Sequence, residues 1–257
     1  MMPLALFSNA TFSGINLLTF FLYAGLGAGM LFMSLDMVQA QGYTQLQSGM
    51  TFLPFTFLMI GLARFAGAWA DKFGPRLFLI CGPAAAGIGL LMLSFVGQTR
   101  GASDYWTTFF PGIIVFGLGM SFTVAPLTAT VMGAVSDHFS GVASGVNNAM
   151  TRISSVFANA IFGALAVLLF SGALHDGIKT IPLDPQQKQE VLWQAADLGN
   201  AKALVALSVQ TRVAVQKAYR ESFISAYSGI MRLSAGLGFL GALMTVFFIR
   251  KKVVKKE

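Results

Sequence analysis

The sequence predicts an all-α integral membrane protein built as one bundle of six transmembrane helices. Composition is the first reason: 55% of the 257 residues are hydrophobic and only 11% are charged, whereas soluble domains carry roughly 25% charged residues. The second is the residue mix, with 24 Phe, 28 Gly and 13 Met, which suits helices packed closely in lipid. The third is the count of apolar runs. About 20 mostly apolar residues cross a bilayer as a helix, and six stretches qualify: 12–38, 49–70, 77–98, 106–135, 142–172 and 222–249. These runs are long and lack the alternation of a membrane barrel, so strands are excluded.

In the first span, Asn16, Thr19 and Tyr23, with Ser34 further on, lie close to one helical face. They read either as the wall of a cavity for an amphipathic substrate or as a helix–helix contact. Asp36 is the only acidic residue in any of the six spans away from their ends. A carboxylate there is a candidate proton-linked group, but its place near the outer end of the span favours an interfacial residue. The second span leads into GAWADKFGPR at 67–76. Gly67, Gly74 and Pro75 permit a tight reversal, and Asp71, Lys72 and Arg76 belong in water or headgroups. Arg64, about two turns earlier, snorkels to the same interface. Pro54, Pro83 and Pro126 are expected to kink their spans.

The fifth span carries a polar stripe: Ser144, Asn148, Arg152, Ser155 and Asn159 recur at helical spacing. An arginine facing lipid costs about 2.5–3.5 kcal/mol on insertion scales, so the stripe must face protein or water. Structural glue and a cavity or gate surface are both open readings. Residues 173–221 are too polar to span and predict an extramembrane loop, with short amphipathic helices at 186–198 and 200–218. In the last span, Arg232 either pairs with Asp36 or snorkels outward. Gly236-x-Gly238-x-x-Gly241 follows no strand and sits inside an apolar span, so it is a packing face and not a dinucleotide site. Gly25-x-x-x-Gly29 and Gly141-x-x-x-Gly145 read the same way.

An even number of spans puts both termini on one side. The basic tail RKKVVKKE, the 70–76 hairpin and Trp69 are placed on the cytoplasmic side of the plasma (inner) membrane, with Tyr43, Tyr105 and Trp106 at the outer interface. The tail beside an apolar helix reads as a membrane flank, not a nucleic-acid patch. With one cysteine, Cys81, and two histidines, the chain offers no disulfide framework, metal cluster or nucleophile–base pair, so an enzyme is not expected.

The segment Gly67-x-x-Ala70-Asp71-Lys72-x-Gly74-x-Arg76 resembles the loop between the second and third helices of each half of major facilitator transporters. The stretches PLALFSNATFSGINLLTFFLYAGLGAG, VQAQGYTQLQSGMTFLPF, YWTTFFPGIIVFGLGMSFTVAPLTATVMGAV and SGVASGVNNAMTRISS extend the resemblance over essentially the whole chain. It is narrower still to the C-terminal half of the fourteen-span drug:proton antiporters of the EmrB/QacA type. The resemblance implies one half of the major facilitator fold, two inverted three-helix repeats, and an aspartate–basic latch at 64–76. It implies proton-coupled efflux of drug-like amphipathic compounds by alternating access, with the proton gradient as driving force and no cofactor. The partners it implies are the lipid bilayer, a small-molecule substrate and a second bundle. By that resemblance the chain is a fragment lacking the N-terminal half. A metabolite transporter, and a non-transporting half that assembles with a separate partner, are the alternatives.

Overall fold

The computed structural model describes residues 4–195, 198, 201, 203 and 207–249. Its main elements are helices α1 (Ala10–Gln39), α2 (Gln45–Thr51), α3 (Leu53–Phe73), α4 (Pro75–Leu93), α5 (Tyr105–Gly133), α6 (Ser140–Gly177), α7 (Pro185–Trp193) and α8 (Val209–Phe248). Six of the helical segments, with α2 and α3 counted as one, are long and apolar enough to cross a membrane. The chain is thus an all-helical, multi-pass membrane protein. The basic tail from Arg250 onward and part of the expected 200–218 helix lie outside the described residues.

Helix starts follow local chemistry. Asn9 caps α1 by accepting from the backbone N–H of Thr11 and Phe12, which satisfies donors that a helix start leaves free. Thr44 and Gln47 form a capping box that opens α2. Pro54 sits in the first turn of α3. Proline is preorganised for that position, and the span that runs from Gln45 to Phe73 is interrupted at Phe52, just before it. Pro83 and Pro126 lie inside α4 and α5.

The helices pack as α3 on α5, α5 on α4, α4 on α8, and α8 with α1 and α6. Small residues set the distances. A Cβ on Gly89 would run into the backbone of Phe116, one on Gly119 into that of Ala86, and one on Gly25 would come within 2.8 Å of the Ser234 carbonyl. In lipid, where hydrophobic contrast between helices is absent, such close backbone approach supplies the packing attraction. Gly238 abuts Gly87, and Gly241 abuts Leu18, so these two glycines form a helix seam, whereas Gly236, expected to share it, has nothing within 4 Å of a notional Cβ. Gly141 and Gly145 have nothing within 4 Å of a notional Cβ; unlike Gly25 and Gly29, they make no close helix contact. The α3–α5 seam is aromatic, with Phe55 stacked on Phe116 and Trp69 on Phe122.

Two ends of the bundle are distinguishable. The hairpin end carries Gly74, the α5–α6 turn and the start of α1, tied by Asn9 Nδ2 donating to the Ala134 carbonyl at 2.8 Å. The opposite, cap end is thicker than the loop predicted from sequence. Helix α8 has 40 residues, hence about 60 Å of length against a hydrocarbon core of about 30 Å. The overhanging parts of α6 and α8, with α7, enclose a second hydrophobic core that includes Phe170, Leu174, Val191, Tyr219 and Phe223. Tyr219 donates its hydroxyl to the Val191 carbonyl at 3.1 Å and stacks on Phe170.

Candidate functional site

At the hairpin end, α3 stops at Phe73 and α4 begins at Pro75, so the chain reverses through Gly74 alone. Gly74 has φ of +88°, in the region that L side chains avoid and glycine adopts freely. Ala70 is buried, and Gly67 faces Ala125 of α5, so the small residues of the hairpin seat α3 on its neighbour. The charges face away: Arg64, Asp71 and Lys72 are exposed, and Lys72 lies 5.4 Å over the Phe73 ring. None of the three joins an ion pair among the described residues. Arg76 behaves differently. Its Nη2 donates to the Val246 carbonyl at 3.0 Å, one of the last carbonyls of α8 that has no partner within the helix. A guanidinium at this negative helix end both satisfies that acceptor and opposes the macrodipole.

Between α1 and α6 near the same end lies a buried polar junction. Asn147 Nδ2 donates to Thr19 Oγ1 at 2.7 Å and to Asn16 Oδ1 at 3.5 Å. Asn16 and Thr19 each return a hydrogen bond to their own helix, at the carbonyls of Phe12 and Ile15. Asn16 and Thr19 are thus brought together as the sequence suggested, but their partner is Asn147, which the predicted stripe passed over. The face that α6 buries runs through Ala143, Asn147, Ser154, Ala158 and Phe162. Of the predicted stripe, Asn148 and Arg152 are exposed, while Ser144, Ser155 and Asn159 sit half-buried at its edge. Ser155 Oγ reaches the Tyr23 carbonyl at 3.4 Å. The signal that could have found Asn147 is the spacing of small residues at 143, 154 and 158, not the spacing of polar ones.

At the cap end, Asp36 is fully buried. Its Oδ2 accepts from Gln41 Nε2 at 3.1 Å, and its Oδ1 has no partner. Gln41 is a clamp: its Nε2 also donates to the Gly97 carbonyl, and its Oε1 accepts from the backbone N–H and hydroxyl of Thr99. Burial, then the carboxyls of Asp104 and Asp36, push the nearby Tyr43 phenol up from its ordinary range. Arg232 is not paired with Asp36; its guanidinium lies 5.8 Å from the centre of the Phe95 ring.

Among the described residues, no group of three or more His, Cys, Asp or Glu is placed to hold a metal ion. The arrangement defines a membrane-embedded helical bundle with buried polar junctions between helices and open apolar faces on α3 and α6, where Phe57, Ile60, Val156, Phe157 and Ile161 are exposed. Residues 3–159 match the Major Facilitator Superfamily model. The chain belongs to that superfamily.

Its relatives include the multidrug resistance protein Stp of Mycobacterium tuberculosis (strain ATCC 25618 / H37Rv), 27% identical over 178 residues, covering 69% of this chain and 32% of Stp. The tetracenomycin C resistance and export protein of Streptomyces glaucescens is 23% identical over 260 residues, covering 98% of this chain and 46% of that protein. The multidrug transporter protein MdtP of Bacillus subtilis is 27% identical over 164 residues, covering 64% of this chain and 30% of MdtP. The chain spans about a third to a half of the length of these relatives.

Proposed function

We propose that this chain is the C-terminal half of a fourteen-span drug:proton antiporter, exporting amphipathic compounds by alternating access together with a second bundle. The observation that carries the reading is the alignment of nearly the whole chain with less than half of a resistance and export protein. The open apolar faces of α3 and α6 are consistent with it, because a transporter of this kind rocks two bundles about a site between them. On this reading the exposed residues Asn148 and Arg152 of α6 face the second bundle near the hairpin end, and Arg64, Asp71 and Lys72 form the chain's side of a latch. Both termini and the hairpin are cytoplasmic, in the plasma membrane.

Reconstitution tests it. Proteoliposomes holding only this polypeptide should show no proton-driven ethidium flux. Co-expression with the N-terminal half of a relative should restore efflux in a pump-deficient bacterial strain. Proton-coupled flux by the polypeptide on its own would overturn the two-bundle reading in favour of a homodimer. Flux of a single metabolite without drug efflux would overturn the substrate class.

A further inference from the structure

The carboxyl of Asp36 stands at the end of α1, enclosed on every side, and three features of its surroundings concern its charge. It is 0% exposed, and an isolated buried carboxylate loses its hydration without compensation. It lies in the last turn of α1, the negative end of the helix, which disfavours an anion. Its only side-chain partner is one amide N–H of Gln41, and Oδ1 has none. Asp36 is the one buried acid among the described residues, and none of the ion pairs, Arg100–Asp104, Asp176–Lys179 and Lys217–Glu221, involves it.

The titratable groups that feel the charge of Asp36 are two phenols. Tyr227 comes from α8 and Tyr43 from the turn after α1, and both have buried hydroxyls without a partner. Beyond Tyr43 lie Tyr105 at the start of α5 and Asp104 before it. No lysine, arginine or histidine among the described residues forms an ion pair with Asp36. We propose that Asp36 is a proton-binding site of this bundle, carrying the proton on Oδ1 while Gln41 clamps the α1 end to the α4–α5 connection at Gly97 and Thr99. A proton converts the orphan acceptor into a donor, and the Gln41 bond to Oδ2 is retained as a bond to the acid carbonyl. Opening of the clamp admits water and releases the proton. The part this plays in a transport cycle rests on the proton-coupled reading above; the site itself does not.

Infrared spectroscopy of the purified chain in an ester-free detergent at neutral pH reads the proton directly. A protonated-carboxyl C=O band should be present, missing in Asp36→Asn and retained in the surface variant Asp176→Asn. Because Asn mimics the neutral acid, Asp36→Asn should melt within about 2 °C of the parent. If Asp36→Asn fails to fold, Gln41→Leu decides: removing the bond to Oδ2 should raise the band's frequency, and exchange of its proton for deuterium should quicken. No band in the parent chain, or a band unmoved by both variants, overturns the proposal. A folded Asp36→Asn with a large loss of melting temperature also overturns it, since that marks an ionised structural carboxylate. A band with no efflux on co-expression with the N-terminal half of a relative leaves this site standing and sinks the export reading instead.

Discussion

Asn147 illustrates how a single amide fixes the relation of two helices. In the bilayer its hydrogen bond to Thr19 competes only with partners that separated helices find for themselves, so its net worth is modest. Coupling energies of such pairs average about 0.6 kcal/mol and range up to about 1.7 kcal/mol. A double-mutant cycle with Asn147→Leu and Thr19→Val should return a coupling in that range by thermal or denaturant unfolding in detergent. Either single variant should destabilise more than half as much as the pair, because each leaves a buried polar group behind. Strictly additive losses would mean the 2.7 Å contact contributes nothing. Asn148, one residue along and exposed, should tolerate leucine in the same assay.

At the scale of elements, the sequence made the spans legible because the lipid phase imposes a strong compositional constraint. The hairpin at Gly74 was legible for a similar reason, since charge, glycine and proline coincide there. Helix α8 was less legible: the apolar signal begins near residue 222, yet the helix begins at Val209. Lysine, arginine and glutamine exclude that segment from lipid, but they are good helix formers, and the second core beneath it stabilises the extension. The buried face of α6 lies one residue from the polar stripe and was not legible from polarity, because small residues, Ala143, Ser154 and Ala158, carry the contact. Size governs the α4–α5 seam too. Gly119→Ala would drive a Cβ into the Ala86 backbone and within 2.6 Å of the Gly82 carbonyl. Since backbone atoms on both sides cannot step aside, the variant should lose about 1–3 kcal/mol or more. Gly145→Ala, which meets open space, should be neutral or stabilising by up to about 1 kcal/mol. Equal losses at the two positions would show that the seam does not set the helix spacing.

For the whole molecule, the decisive asymmetry is that one end carries a lean hairpin and the other a folded cap. A bare count of basic residues does not separate the two ends, because Lys72, Arg76 and the five of the tail are matched by Arg100 and six in 173–221. The rule that positive charge stays inside weighs short loops and weakens for long ones. The segment that carries the cap is long and its charges are partly offset by acids, so the hairpin and tail should dominate. Cysteine labelling in intact bacterial cells tests this. Cys81 is the only cysteine and is exposed, so Cys81→Ser gives a clean background. On it, Gln189→Cys in α7 should react with a membrane-impermeant maleimide added outside, while Lys72→Cys beside Gly74 should react only after the membrane is permeabilised. The reverse pattern would invert the bundle and place both termini outside. Reaction of both sites from one side would contradict the six crossings themselves, because the hairpin and α7 stand at opposite ends of the bundle.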